Sequence, residues 1–152
     1  MSIKIVTKNK KAFYDYEILE KLEAGIQLLG SEVKSIRMGR VNLKDSYVRI
    51  VKGEAWVFGM HISFIDSTNP HYKPDEKRPR KLLLHRKEID KWYGRLKQEG
   101  LAIVPLMLYF NERNKAKLQI ALAKGKKIHD KRESLKRKTA EREAQVAMKY
   151  RY

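Results

Sequence analysis

The sequence predicts a mainly β domain, a small closed barrel of about six short strands with short helices on its flanks and a basic C-terminal tail. Three observations carry this. Apolar and polar residues alternate with period two in several short runs; Gly- and Asn-containing turns separate those runs; and from Ala123 onward both patterns stop. With 152 residues the chain suffices for one core, since a domain of this size buries roughly 68–70% of its unfolded surface.

After a basic N-terminal arm, "FYDYEILEKLEAGIQLL" sets Tyr14, Tyr16, Ile18 and Leu22 against Asp15, Glu17, Lys21 and Glu23, a strand with one wet face, although Glu20 breaks the alternation. "GSEVKSIRMG" offers Ser31 as N-cap, Val33 and Ile36 three apart, and Gly39 as the residue past the end, which describes a two-turn helix. "DSYVRIVKGEAWVFGMHISFI" flanks Lys52-Gly53 with β-branched and aromatic runs, a hairpin followed by a third stretch of strand. Asp66 to Arg80 reads as an exposed basic loop. "HRKEIDKWYGRLKQEG" spaces Ile89, Trp92 and Leu96 as the apolar stripe of a helix that stops at Gly100. "LAIVPLMLYF" and "KAKLQIALA" are strands joined by "NERN", with Pro105 marking an edge or a bulge. In the second, Leu118, Ile120 and Leu122 face a core, while Lys117, Gln119 and Ala121 make the other face. Short strands of this kind in a basic protein suggest the OB-fold, which presents one face and its loops to nucleic acid.

Charge narrows the partner. There are 35 Lys+Arg against 18 Asp+Glu, a formal charge of +17, and such an excess attracts polyanions at long range. Nucleic acid comes first. A membrane is the competing polyanion, but no apolar run of about 18 residues and no signal pattern occurs, so the expectation is a soluble cytoplasmic protein without membrane contact. The absence of cysteine excludes disulfides, thiol catalysis and Cys-based zinc sites. His61, His71, His85 and His129 lack metal-binding spacing, and no phosphate loop or nucleophile elbow is present. No enzyme, cofactor or metal site is expected.

Two readings fit "RPRKLLLHRKE". It is a buried strand with solvated flanks, or an RNA-contacting ridge in which Arg78, Arg80, Lys81, Arg86 and Lys87 hold phosphates while an exposed Leu83 or His85 packs on an unstacked base. Composition does not separate them. Lys34 and Arg37 in "EVKSIRMGR" are likewise solvated helix residues or phosphate contacts. For Tyr14, Tyr16, Trp56, Phe58 and Trp92 core packing outweighs base stacking. Residues 124–152 carry 11 Lys+Arg and 4 Asp+Glu. This tail favours helix yet has no continuous apolar face, so it is a solvated extension or a polyanion-binding segment.

Taken in order, "LEAGIQLLGSEVKSIRMG", "LKDSYVRIVKGEAWVFGMHI", "RKLLLHRKEI", "IVPLMLY" and "LAKGKKIHDKRE" resemble the small protein B family, the bacterial tmRNA-binding (SsrA-binding) proteins, from about Asn9 onward. The resemblance implies an OB-fold barrel with flanking helices, taken to span residues 1–129; for the tail, residues 130–152, high charge without an apolar stripe gives the expectation of a segment disordered when free and helical on the ribosome. It implies trans-translation: binding the tRNA-like domain of tmRNA and delivering it, with elongation factor Tu, to stalled ribosomes. It implies no enzymatic activity, and a monomer is expected. The family's tmRNA contacts map onto Asn9, Glu23, Leu83 and Lys117; with Lys34, Arg37, Lys81 and His85 they form the expected tmRNA-binding set. The family's ribosome-acting tail motif falls on Gly125, Lys126, Lys127, His129, Asp130, Lys131 and Arg132, and Lys136, Arg137, Lys138 and Arg142 are expected to meet rRNA phosphates. One departure is Pro74-Asp75-Glu76, where the family pattern has an Asp-Pro turn.

Overall fold

The structure is a computed structural model that describes residues 3–63, 75–97 and 100–126. The expectations for the 130–152 tail, and for most of the loop after Ser63, lie outside the described residues. Within them the chain runs β1 (Lys4–Lys8), α1 (Lys10–Asp15), β2 (Tyr16–Ile26), α2 (Gly30–Arg37), β3 (Val41–Asn42), β4 (Tyr47–Val51), β5 (Glu54–Phe58), β6 (His61–Ile62), β7 (Arg80–Leu83), α3 (Arg86–Arg95), β8 (Leu101–Phe110) and β9 (Ala116–Gly125).

Six strands close on themselves. The hydrogen-bonded order is β1-β8-β4-β5-β7-β2-β9, and β8 also pairs with β9, so β8, β4, β5, β7, β2 and β9 form a ring. β8 serves three neighbours along its length. Its Ile103 meets Val48 of β4, its Met107–Phe110 half meets β1, and β9 runs along the whole strand. Inside lies one apolar cluster that includes Ala24, Val57, Leu82, Leu108, Leu118, Ile120 and Leu122 from the strands, Ile36 from α2 and Trp92 from α3. Each large side chain among them contributes about 1.5–3 kcal/mol by leaving water.

Several local expectations are corrected. The basic arm is a strand, β1, on the edge of β8. Phe13–Asp15 belong to α1, so the alternating strand starts at Tyr16. The body thus holds three helices among the described residues, where the sequence suggested two. The cause is Asn9, whose Oδ1 caps α1 by accepting from the Ala12 N–H (3.3 Å). α1 also explains why Ala121, assigned to the polar face of β9, is buried. With Ala12, Val104, Leu106 and Ala123 it forms a second small apolar cluster on the outside of the sheet.

α2 starts from Leu29, not from Ser31. The Glu32 carboxylate accepts from the Leu29 N–H (2.8 Å), which supplies the acidic half of a capping box. It ends as expected at Gly39, φ +77, with the Gly39 N–H donating to the Ile36 carbonyl and the Arg40 N–H to that of Ser35, a Schellman arrangement. The Lys52-Gly53 hairpin joins β4 to β5 with both residues at positive φ. The stretch after it, β6, pairs with β3 in a separate two-stranded ribbon. α3 ends at Arg95, short of Gly100. Pro105 proves to be a bulge: the β8–β9 register shifts between Pro105 and Met107.

Candidate nucleic-acid interface

A groove of about 710 Å³ opens where β2, β7 and β9 adjoin the start of α3. Glu23, Gly25, Lys81, Leu83, His85, Arg86 and Lys117 are among the residues lining it. Strand register creates it. Gly25 pairs with Leu83 on one side and with Lys117 on the other, and Glu23 lies two residues back on the same face of β2. Glycine is favoured there, because a Cβ at position 25 would come within 3.2 Å of the Leu83 Cβ.

β7 settles the choice left open by its composition, and splits it. Strand alternation sends Arg80 and Leu82 inward, at 0% and 1% exposure, and Lys81 and Leu83 outward, with Leu83 49% exposed. Arg80 is therefore not part of a ridge. Its guanidinium donates to Glu32 Oε2 (Nε, 2.7 Å), to the Met60 carbonyl (2.6 Å) and to the Glu76 carbonyl (3.0 Å). Arg78 adds two bonds to the same carboxylate. Burial alone would raise the Glu32 carboxyl, but Arg78, the Leu29 N–H and Arg80 outweigh it and hold it below its ordinary value. This cluster, with Glu32 and Arg80 fully buried, pins α2 to the start of β7.

The outward residues are held less tightly. Lys81 pairs across the strands with Glu54. His85 begins α3, its backbone N–H donating to Glu88 Oε1 (3.0 Å), and it is exposed. Arg86 donates to the Gly53 carbonyl (3.3 Å), tying α3 to the hairpin turn. Lys117 has no ion pair among the described residues. Glu23 accepts from the Tyr109 hydroxyl. α3 itself is fastened by Glu20, the residue that broke the alternation of β2. Lys91 (2.7 Å), Trp92 Nε1 (2.8 Å) and Arg95 (3.3 Å) all donate to its carboxylate. The Lys91 bond, then that of Trp92, holds Glu20 below its ordinary value.

Of the expected tmRNA-binding set the groove thus brings together Glu23, Lys81, Leu83, His85 and Lys117; Asn9, Lys34 and Arg37 are not among its lining. Asn9 is buried, its Nδ2 donating to the Pro105 carbonyl (2.9 Å) and its backbone N–H to that of Leu106 (2.7 Å), so it fixes β1 and α1 against the β8 bulge. Arg37 lies 4.6 Å over the Phe110 ring and donates to Asn114 Oδ1 (3.3 Å) in the β8–β9 turn. Lys34 is exposed on α2.

Gly125 closes β9, and Lys126 donates through its backbone to Asp15 (3.0 Å) and through Nζ to the Phe13 carbonyl (3.3 Å). Lys127, His129, Asp130, Lys131, Arg132, Lys136, Arg137, Lys138 and Arg142 lie outside the described residues. Sequence reasoning missed Gly25, Glu54 and Tyr109, whose roles depend on cross-strand register. For Gly25 a signal existed: a glycine inside a strand marks close approach of a neighbour.

Among the described residues no group of three His, Asp or Glu could hold a metal, and no helix is long and apolar enough to cross a membrane. What remains is a groove on a sheet face in which Leu83 stands beside three cations, Lys81, Arg86 and Lys117, and three carboxylates, Glu23, Glu54 and Glu88, on a chain of net charge +17, chemistry suited to binding RNA by shape, phosphate and unstacked bases.

The comparisons with known proteins agree. The family described as SmpB protein matches residues 6–150. The chain is 67% identical over 147 residues to the SsrA-binding protein of a Nitratiruptor species, covering 97% of this chain and 98% of that one. It is 62% identical over 149 residues to the SsrA-binding protein of Wolinella succinogenes, covering 98% and 99%. A chain of the solved structure described as "tmRNA-SmpB: a journey to the center of the bacterial ribosome" superposes with a TM-score of 0.68 at 44% identity, covering 84% of this chain and 88% of that one. With a barrel, a groove and a family match that extends over nearly its whole length, the chain belongs to the SmpB protein family.

Proposed function

We propose that this chain binds the tRNA-like domain of tmRNA through the β2–β7–β9 groove and delivers it to stalled ribosomes in trans-translation, rescuing them and tagging the incomplete product. It acts by binding, not as an enzyme. The observation that carries the reading is the meeting of Glu23, Leu83 and Lys117 in one groove, from three strands far apart in sequence, on a chain of net charge +17. Lys117, Lys81 and Arg86 supply cations for phosphates, and the exposed Leu83 offers an apolar surface to an unstacked base. The relatives' name, SsrA-binding protein, supports the same RNA.

The finer parts of the proposal follow from this role. The chain works in the cytoplasm as a monomer, alongside elongation factor Tu in the delivery complex. Lys126, Lys127, Lys131, Arg132, Lys136, Arg137, Lys138 and Arg142 meet rRNA phosphates in the vacant mRNA channel, with His129 and Asp130 near the decoding centre. The deciding experiment is competition. Labelled tRNA-like domain should stay bound in excess bulk tRNA, and affinity should fall steeply with salt. Equal displacement by tRNA would instead indicate a general RNA-binding protein. A truncation after Ile128 should keep tmRNA binding and lose tagging; normal tagging by that truncation would remove the tail from the account.

A further inference from the structure

We infer that Tyr109 is a positioning residue of the interface: its hydroxyl, donating across β9 to Glu23 Oε2, presets that carboxylate as an acceptor for an N–H or O–H donor of an unpaired nucleotide. The inference rests on the RNA-binding reading above and adds the chemistry of the group recognised.

Three carboxylates line the groove; Glu54 pairs with Lys81 and Glu88 accepts from the His85 N–H at the start of α3, which leaves Glu23 to be explained. Phosphate repels it, and the neighbouring Lys81, Arg86 and Lys117 already serve phosphate better. An ionised carboxylate only accepts hydrogen bonds. The RNA groups it favours are therefore donors: the N1–H and amino group of guanine, the amino groups of adenine and cytosine, or the ribose 2′-hydroxyl. Single-stranded or looped RNA exposes all of these.

Tyr109 supplies what an exposed Glu lacks, a fixed orientation. It stands on β8 opposite Lys117, whereas Glu23 stands on β2 opposite Gln119, so the bond crosses β9 on the diagonal and spans three strands. Tyr109 is 4% exposed although it shares the outer face of the sheet with Lys117, which places an immobile donor beneath an exposed acceptor. Burial, and then the bond to Glu23, push the Tyr109 hydroxyl up, so it remains a donor throughout the physiological range. Glu23 Oε1 has no partner among the described residues. Ordering the side chain before RNA arrives removes a cost that binding would otherwise bear.

The test is a double-mutant cycle on the full chain, with fluorescently labelled tRNA-like domain as probe and bulk tRNA as control. Tyr109→Phe keeps the ring and removes only the donor. It should weaken binding of the tRNA-like domain roughly five- to twentyfold, leave the weak binding of bulk tRNA and the slope of affinity against salt unchanged, and have no further effect in a Glu23→Ala background. A merely structural tyrosine would cost the same in both backgrounds, and that result, or full affinity of Tyr109→Phe, overturns the inference. Interference mapping with inosine, 2-aminopurine riboside, purine riboside, zebularine and 2′-deoxy analogues, which remove in turn the guanine amino group, the guanine N1–H, the adenine amino group, the cytosine amino group and the ribose hydroxyl, should give a position in wild type that loses its effect in Glu23→Ala, and the analogue names the donor. If no position depends on Glu23, the donor reading fails. Should wild type fail to prefer the tRNA-like domain over tRNA, the function proposed above falls, and this inference with it.

Discussion

Adjacent leucines on β7 provide a controlled comparison. Leu82 is 1% exposed inside the barrel, and Leu83 is 49% exposed in the groove. Leu→Ala removes three carbons, worth roughly 2.4 kcal/mol of transfer at ~0.8 kcal/mol each. At position 82 the loss is complete and a cavity remains, so about 3 kcal/mol of stability should go. At position 83 about half of that transfer term was never gained and no closed cavity is left, so about 1 kcal/mol is expected. For a domain of this size the two variants should lower the melting temperature by about 10 °C and about 3 °C. Binding should rank the other way. Leu83→Ala should weaken association with the tRNA-like domain roughly ten- to thirtyfold, while folded Leu82→Ala stays close to wild type. Circular dichroism melts and fluorescence anisotropy at one salt concentration read both quantities. If Leu83→Ala melted as low as Leu82→Ala while binding normally, the outward placement of Leu83 and its part in the interface would both be refuted.

Other expectations follow from the polar clusters and the hairpin. Glu32→Gln strands the fully buried Arg80 without its counter-ion and should cost about 3–5 kcal/mol in urea unfolding; a loss under about 1 kcal/mol would mean that Arg80 finds other compensation. Glu32 and Glu20 both have folded values below the ordinary 4.5. The folded state therefore binds fewer protons than the unfolded chain, and the stability they give is present above about pH 4.5 and lost as pH falls through the folded values. Urea midpoints from about pH 7 to about pH 3 should show that fall, and Glu20→Gln should flatten part of it. Lys52 holds φ 52 at the hairpin turn, where Asn is better tolerated, so Lys52→Asn should stabilise by roughly 0.5–1 kcal/mol in the same assay.

Much of the barrel was legible because its signals are local. The Lys52-Gly53 turn, the stripe of Ile89 and Trp92, and the Leu118, Ile120 and Leu122 face each declare themselves within a few residues. Errors arose where partners distant in sequence decide. Phe13–Asp15 alternate like a strand, yet Asn9, anchored to the β8 bulge, caps them into helix. Arg80 sits in a basic run and is buried because Glu32 waits inside. Glu20 looked like a flaw in a strand and is the anchor of α3. In the site, Leu83 could be core or contact from composition alone; pairing with Gly25 decided it. The register that assembles Glu23, Leu83 and Lys117 is a property of barrel closure, and no single stretch encodes it.

Closure of the ring by β9 has a consequence for the timing of the protein's own synthesis. β2 emerges early but finds its longest pairing, from Tyr16 to Gly25, only with the last strand of the barrel. Bringing such distant segments together carries a loop-closure penalty before any contact rewards it, so this step should govern the folding rate. Until then β2 has one unmet edge, and the groove lacks both Lys117 and the β8 hydroxyl that steadies Glu23. A nascent chain that has exposed everything up to α3 is therefore already basic yet lacks the groove proposed to select the RNA. That groove is completed in one step, with the final hairpin.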